Sequence, residues 1–161
     1  MRLPEYSPAS VSVPAAVRAW HLQSRDAQRL REQEYTRMRL AFSRTGGLIC
    51  GDELAGRLGL RLQQPISHVA RWIVSRQVLS IVWKSETLLP LFQFDSLDLL
   101  PSPVASAAVQ ELAGAFSDWD IALWFIEPNH LLEDYTPMDA LAADGASVIA
   151  AARAERFFER G

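Results

Sequence analysis

The chain has 161 residues, of which 49% are hydrophobic and 22% charged, a balance typical of a folded protein rather than a disordered one. Its single cysteine, Cys50, excludes an intramolecular disulfide framework and a cysteine-based metal site. The sequence has neither the ~18 consecutive apolar residues of a membrane-spanning helix nor a signal-peptide pattern. We therefore expect a cytoplasmic protein with no membrane partner and no cofactor.

Charge is distributed unevenly along the chain. Residues 1–47 have eight arginines against four acidic residues, and residues 48–90 have five basic residues against three acidic ones. Residues 91–161 have three arginines against twelve acidic residues. This asymmetry suggests an anionic partner for the first part, and for the second either a basic partner or simply an acidic, solvated surface.

The first predicted element is a long helix over residues 14–44. Pro14 suits a first helical turn, no other proline and no glycine occurs before Ser43, and Thr45-Gly46-Gly47 is a typical helix end. The apolar residues of this segment only loosely share one helical face, so the helix is expected to pack on a partner or to lie half exposed.

The second predicted unit contains two short helices, Glu53–Leu60 and Pro65–Ser75, the first capped by Asp52 or Gly51. Two β-rich runs follow, residues 78–83 and 88–94, joined by a polar loop at 84–87. Pro90 indicates that the second run is an edge strand or bends there.

The remaining sequence predicts helices over residues 103–116 and 119–127, a short helix over 138–142 opened by Thr136-Pro137, and a last helix over 146–160. Asp118 is the predicted cap of the second of these helices. The predicted fold is therefore mainly α, with a long N-terminal helix, a helix-turn-helix-like unit with a small β wing, and a C-terminal helical domain. The predicted boundaries are 1–47, 48–94 and 95–161.

The two short helices have the layout of a helix-turn-helix. Ala55 and Gly59 are four residues apart, which suits close approach of the helices and a tight exit. Ile66, Val69 and either Trp72 or Ile73 are expected to face inward. Polar side chains of the second helix would then contact base edges or phosphates of DNA, and the tip of the predicted hairpin, the wing, would lie near the DNA backbone. The predicted DNA-binding residues are Gln63, Gln64, Ser67, His68, Arg71 and Lys84.

Two alternatives to that interpretation stay open. The segment 48–94 could be an unrelated helical hairpin with a β ribbon. The arginines of the long helix could add phosphate contacts, or they could simply form a solvated face.

Catalytic motifs are scarce. His21, His68 and His130 lie in three different segments, and Pro128 interrupts the helix that would align Glu127 with His130. The chain is therefore predicted not to be an enzyme. Four aromatic residues between positions 116 and 125 are expected to lie in a hydrophobic core, with a partner-binding face as the alternative. They are Phe116, Trp119, Trp124 and Phe125.

The C-terminal sequence has an ordered series of features over roughly residues 92–158. A tryptophan-containing helix ends in Pro128-Asn129, a leucine follows three residues on, and Pro137 then starts another helix before the last one. In this order and spacing the segment resembles the toxin-binding domain of the Xre/MbcA/ParS-type antitoxins. The matching residues expected to shape the domain are Trp124, Pro128, Asn129, Leu132 and Pro137.

This resemblance implies a non-enzymatic antitoxin that binds and neutralises a cognate toxin, typically of the NAD-depleting RES class. It also implies that the N-terminal part binds operator DNA and represses its own operon. Because operator recognition by helix-turn-helix modules usually pairs two half-sites, we expect a homodimer. The final helix corresponds to the end that approaches the toxin in this family, which suggests four contact residues: Arg153, Arg156, Phe157 and Phe158. The alternatives are that the two phenylalanines pack back on the core, and that the chain is a stand-alone transcriptional regulator.

Overall fold

The computed structural model describes residues 15–160, so Pro14 and the tail before it lie outside the described part. Seven α-helices occur within these residues: α1 (Ala15–Ser43), α2 (Gly51–Leu58), α3 (Pro65–Val74), α4 (Pro103–Leu112), α5 (Asp118–Ile126), α6 (Pro137–Ala140) and α7 (Gly145–Arg160). Three short strands accompany them: β1 (Leu48–Cys50), β2 (Ile81–Trp83) and β3 (Glu86–Pro90). The mainly helical fold and the long N-terminal helix are confirmed.

The chain forms two compact units, residues 1–35 and 36–161. In the described part of the first unit, residues 15–33 of α1 are all exposed, including Trp20 and Leu30. In the second unit, the end of α1 contributes Met38 and Phe42, both fully buried. Within residues 15–160, no helix combines the length and the apolarity needed to cross a membrane.

The sheet is antiparallel, with the strand order β1-β3-β2. The sequence predicted the hairpin but not β1, which pairs with β3 so that Leu48 lies opposite Pro90. The expectation that Pro90 marks an edge strand is wrong, because β3 is central. The expected bend is present: Pro90 ends the strand and a 3-10 turn over Leu91–Gln93 follows.

The hairpin turn is tighter than the predicted loop at 84–87. β2 and β3 pair up to Trp83 and Glu86, which leaves only Lys84 and Ser85 in the turn. Both residues have positive φ, 46° and 69°. This is the geometry of the two-residue turns whose twist matches that of the paired strands.

A hydrophobic core holds α2, α3 and the sheet together. Leu54 and Leu58 of α2 are buried with Val69 and Trp72 of α3, in a cluster that also includes Leu89 of β3. Ile66 was expected to face inward, but it is 69% exposed. The reason is that the buried face of α3 is centred on Val69 and Trp72, and Ile66 lies at its edge in the first turn.

One buried polar side chain fixes the entry to the hairpin. Gln93 is 1% exposed, and its side-chain amide accepts a hydrogen bond from the backbone N–H of Leu79 (2.7 Å) and donates one to the Leu79 carbonyl (2.8 Å). Both backbone groups of this fully buried residue are thereby satisfied. The Gln93 side chain therefore makes the two backbone hydrogen bonds that a neighbouring strand would otherwise make to Leu79.

Helix caps differ in part from the predicted ones. Asp118 is the first residue of α5, and the cap is Ser117, which forms a capping box with Asp120. Neither Asp52 nor Gly51 caps α2; its cap position is Cys50, without a side-chain hydrogen bond. The predicted start of α6 is confirmed, since Thr136 accepts a hydrogen bond from the N–H of Asp139.

Aromatic rings form the core between α1, α5 and the 3-10 turn. Phe92 stacks on Phe42 (centroids 5.7 Å apart) and contacts Phe125 (4.8 Å). Trp83 of β2 stacks on Trp119 of α5 at 6.1 Å, so the hairpin packs against the C-terminal helices. Of the four aromatic residues expected in the core, Trp119 and Phe125 are buried, whereas Phe116 and Trp124 are half-buried.

Candidate functional site

The α2–α3 pair presents most of the predicted DNA-binding side chains to solvent. The connection between the helices, residues 59–64, is longer than the 3–4 residues of a tight helix-turn-helix turn. Gln64 adopts a left-handed conformation (φ 52°) directly before Pro65, which starts α3. Exposed residues in this segment are Gln63, Gln64, Ser67 and Arg71.

The other two predicted DNA-binding residues each contact an aromatic ring. His68 is half-buried, with its ring 6.1 Å from that of Trp72. Lys84 is exposed in the hairpin turn, and its Nζ lies 5.7 Å from the centre of the Trp83 ring. The ammonium group therefore rests on a tryptophan face while remaining accessible to an anion.

Three of the five positive charges of residues 48–90 are engaged within the chain. Arg57 pairs with Glu53 across one helical turn (2.7 Å), and Arg61 donates to the carbonyl of Leu97. Arg76 pairs with Asp118 at 2.5 Å and also donates to the carbonyl of Ala113. Arg71 and Lys84 have no ion pair with any residue between 15 and 160.

The exposed face of α3 is also partly apolar. Ile66 is 69% exposed and Val74 84% exposed, at opposite ends of the helix, with Arg71 between them. Apolar side chains on such a helix can contact thymine methyl groups. With few cations present, this face provides little of the phosphate neutralisation that dominates affinity for DNA.

Asn129 organises the loop between α5 and α6. Its side-chain oxygen accepts a hydrogen bond from the N–H of Leu131 (2.9 Å), and its backbone N–H donates to the carbonyl of Tyr135 (3.1 Å). The Asn129 carbonyl accepts from Leu132 and Asp134, which closes the loop on itself. Asn129 is only 7% exposed, so these bonds form largely out of water.

The remaining residues of the predicted scaffold surround that loop. Leu132 and Pro137 are buried, and Trp124 is half-buried with its ring edge-on to Phe125 (5.0 Å). Pro128 is exposed and follows Glu127, where the extended backbone ends α5. Together they turn the chain from α5 into α6.

Two of the predicted toxin-binding residues, Arg153 and Arg156, form ion pairs within the chain. Arg153 donates two hydrogen bonds to one carboxylate oxygen of Glu111 on α4 (2.8 and 3.1 Å), and Arg156 pairs with the other oxygen at 2.8 Å. Hydrogen bonding from Arg153, helped by both positive charges, holds the pKa of Glu111 below its ordinary value against partial burial.

Phe157 and Phe158, at the end of α7, are 64% and 76% exposed. The alternative in which they pack back on the core is therefore wrong. Arg156 lies over the ring of Phe157, with its guanidinium carbon 5.5 Å from the ring centre. The ion pairs of Glu111 with Arg153 and Arg156 hold α7 against α4 within one turn of Phe157 and Phe158. The two rings are therefore exposed on a helix end that is anchored to the rest of the domain.

Glu127 and His130 do not form a catalytic pair. The Glu127 carboxylate pairs with Arg37 at 3.0 Å, and His130 is exposed on the 3-10 turn that follows Asn129. In the part of the chain from 15 to 160, no three histidine, cysteine or acidic side chains cluster as metal ligands would. Cys50 is a half-buried free thiol.

A groove that the sequence did not indicate lies beside Trp124, where the end of α4, α5 and α7 meet. Its volume is about 220 Å³. We call it the Trp124 groove; it is lined by Leu112, Phe116, Asp120, Ile121, Leu123, Trp124, Glu127 and Glu155. The Trp124 indole nitrogen is buried and has no hydrogen-bond partner among the described residues. Glu155 lies more than twenty residues after the α5 residues of this groove, so the groove leaves no local sequence signal.

Comparison of the chain with protein-family models, with curated proteins and with solved structures finds no match.

Proposed function

We propose that this chain is a non-enzymatic, antitoxin-like adaptor that binds a partner protein through its C-terminal helices and DNA through the α2–α3 pair. The observation that carries the proposal is the end of α7, where Phe157 and Phe158 are exposed on a helix fixed by the Glu111 ion pairs. Aromatic side chains on a rigid support are typical anchors of protein interfaces.

The resemblance of residues 92–158 to the toxin-binding domain of Xre/MbcA/ParS-type antitoxins gives the partner its class, a cognate toxin of the RES type. The two arginines predicted to touch that toxin serve in this proposal chiefly to position α7 on α4. Arg153 remains 55% exposed in its side chain and keeps an outer edge for a partner's acceptor.

The DNA-binding part of the proposal rests on the order of elements in residues 48–94. Two packed helices are followed by a hairpin with a lysine in its turn, and β1 completes the sheet, as expected of a winged helix-turn-helix. Operator recognition by such modules commonly uses two half-sites, so we propose that the chain acts as a homodimer.

The first experiment is co-expression with the product of the neighbouring gene. Growth should be arrested by that product alone and restored by the full chain. A chain with both Phe157→Ala and Phe158→Ala should bind the toxin roughly 1,000-fold more weakly, because aromatic anchors commonly contribute about 2 kcal/mol each. Leu97→Ala is the matched control, since Leu97 is 80% exposed elsewhere on the second unit.

The second candidate function is that of a stand-alone transcriptional regulator without a toxin. The observation that favours it is the accessible Gln63-Gln64-Ser67-Arg71 surface, which includes no residue of the C-terminal helices. A chain that shifts its own promoter DNA in a gel but leaves every neighbouring gene product equally toxic supports the regulator. A chain that restores growth without binding DNA contradicts it.

A further inference from the structure

Three arginines share one face of the exposed half of α1. Arg18, Arg25 and Arg29 are separated by seven and four residues, spacings that return to the same side of an α-helix. Along the helix axis they lie about 10 Å and about 6 Å apart. We call these three residues the arginine row; it ends at Glu32, whose carboxylate accepts a hydrogen bond from the Gln28 side chain (3.4 Å).

The aromatic residue of this half lies on the opposite side of the helix. Arg29 comes nine residues after Trp20, and Arg18 comes nine residues before Ala27. Nine residues are about two and a half turns. Leu22, 60% exposed, is the apolar residue that lies among the arginines. An anionic partner can therefore contact the arginine row without touching Trp20.

Other arginines of α1 are neutralised within the chain. Arg37 pairs with Glu127 at 3.0 Å and Arg44 with Asp139 at 3.1 Å. By contrast, no member of the arginine row pairs with a carboxylate among residues 15–160. Two of its members are four residues apart, a spacing at which like charges destabilise a helix. A bound anion would remove that repulsion.

A second copy of the chain has few carboxylates left for the arginine row. Of the twelve acidic residues in 91–161, four pair with arginines of their own chain and four accept hydrogen bonds in turns and helix caps. The other four have no ion pair within residues 15–160 and form two sequence-local pairs, Glu133 with Asp134 and Glu155 with Glu159. Neither pair supplies a counter-charge for each of three arginines in line.

Duplex DNA supplies such a line of charge. Each strand carries one phosphate about every 3.4 Å along the helix axis, so three guanidinium groups on a straight helix meet phosphates in any register. Guanidinium groups are also well shaped to bind phosphate oxygens. The exposed face of α3, where Arg71 is the cation, provides little phosphate neutralisation. The arginine row provides the charge that the α3 face lacks.

We propose that the arginine row of α1 is a second DNA-contacting surface, at which three guanidinium groups bind phosphates of the duplex without reading its sequence. Phosphate contacts set affinity and position, and base contacts set specificity, so the sequence is read by the α2–α3 pair. This inference rests on the proposed function for the class of partner, and it adds the element that supplies most of the electrostatic affinity.

The test titrates the full chain onto fluorescently labelled duplexes and follows their anisotropy at several salt concentrations. One duplex contains the chain's own promoter, and the other has a shuffled sequence of the same length. Arg18→Gln, Arg25→Gln and Arg29→Gln together should lower the slope of the logarithm of affinity against the logarithm of salt by about 2.7. Binding at low salt should weaken at least roughly tenfold on both duplexes, because their phosphates are the same.

A matched variant makes the same change of charge at arginines that are already paired: Arg37→Gln, Arg44→Gln and Arg57→Gln. It should keep the salt dependence of the unmodified chain. Replacing the arginine row by three lysines, which keeps the charge, should also keep it. Equal losses in the two glutamine variants overturn the proposal, and so does an unchanged salt dependence when the arginine row is replaced by glutamine. Circular dichroism checks that α1 is retained in each variant.

Two further measurements test other occupants of the arginine row. Sedimentation velocity at low salt should give the same oligomeric state with and without the row; dissociation caused by its loss would assign the row to a second copy and overturn the proposal. Vesicles containing phosphatidylserine should not compete with the shuffled duplex. Vesicle binding that needs the row, with DNA binding unchanged by its loss, would likewise overturn the proposal.

The outcome is separable from that of the proposed function. Loss of binding to both duplexes without the arginine row, in a chain that shows no preference for its promoter, keeps the row and removes the α2–α3 pair as the reader of sequence. Promoter binding that Arg71→Ala weakens and loss of the row leaves unchanged keeps the proposed function and removes the row.

Discussion

The helix–sheet region (residues 48–94) and the C-terminal helical region (residues 103–160) are both held by apolar cores, but their polar ties differ in kind. The helix–sheet region is pinned by a neutral amide, Gln93, which is buried and bonded only to backbone. The C-terminal helical region is pinned by an ionic group, Glu111 with Arg153 and Arg156, at a partly exposed site. The first tie is indifferent to pH and salt, whereas the second depends on both.

The largest effect is expected from Gln93→Leu. The substitution leaves the N–H and the carbonyl of the buried Leu79 without partners, and we expect a loss of about 2–4 kcal/mol in the free energy of unfolding. Urea denaturation measures it, and the loss should be the same at pH 5 and pH 8. Gln110→Leu is the control, because Gln110 is exposed on α4 and should change stability by less than about 0.5 kcal/mol. Equal losses in the two variants would remove Gln93 as the tie.

The second effect concerns the contact between α4 and α7. A Cβ added at Gly145 would lie 2.4 Å from Cγ1 of Val104, so Gly145→Ala should destabilise by about 1–3 kcal/mol. Combining it with Val104→Ala should recover part of that loss, as expected for contacting residues.

Gly56, in α2 of the helix–sheet region, is the matched control for Gly145. A Cβ at Gly56, in α2, meets nothing within 4 Å. Gly56→Ala should therefore stabilise the chain by up to about 1 kcal/mol through helix propensity. Thermal unfolding of both variants checks the pair, and a destabilising Gly56→Ala would contradict the packing described for α2.

The third effect is the pH dependence of Glu111. Because its pKa is lowered in the folded chain from an ordinary value of 4.5, its contribution is fully present above that value and is lost as pH falls through the lower folded pKa. Glu111→Gln should cost about 1 kcal/mol at neutral pH, and the difference from the unmodified chain should vanish in acid. Unfolding measured from pH 7 to pH 3 tests this.

A control is needed because Asp144, at the start of α7, also has a lowered pKa, caused by hydrogen bonds from Ser147. Glu111→Gln should retain that part of the acid sensitivity. High salt should reduce the effect of Glu111→Gln and leave that of Gln93→Leu unchanged. Equal salt sensitivity of the two variants would erase the contrast between the regions.

The smallest effect is expected for DNA. Arg71→Ala should weaken binding a few-fold and reduce the dependence of the logarithm of affinity on the logarithm of salt concentration by about 1. Arg57→Ala is the control, since Arg57 is already paired with Glu53. A gel-shift titration at several salt concentrations distinguishes them, and identical losses would indicate that α3 is not the contact helix.

The sequence predicted the helices well because their signals are local. Pro65, Pro103 and Pro137 each stand at a helix start, and the long run without glycine or proline up to Ser43 forms one helix. β1 was missed because three residues cannot show an alternating pattern. Ser117 was passed over as the cap of α5 in favour of the adjacent Asp118, an error of one residue between two good capping types.

Sites that depend on packing were beyond the sequence. Arg153 was predicted as a partner contact, yet its carboxylate, Glu111, lies 42 residues away on another helix. Trp124 was expected to be scaffold, and its sequence neighbours give no sign that its indole N–H is buried without a hydrogen-bond partner among residues 15–160. By contrast, the exposure of Arg71 followed from helical periodicity once Val69 and Trp72 defined the inner face.

The contacts of Arg76 and Trp83 have a consequence for protein engineering. The Arg76 guanidinium forms an ion pair with Asp118 and donates a hydrogen bond to the Ala113 carbonyl, and Trp83 stacks on Trp119. A chimaera that joins residues 48–94 to a foreign helical segment would leave Arg76 without its ion-pair partner and expose one face of the Trp83 ring. Transferring residues 48–94 to another helical protein therefore requires carrying the Ala113–Trp119 segment with them, so the transferable unit is larger than residues 48–94 alone.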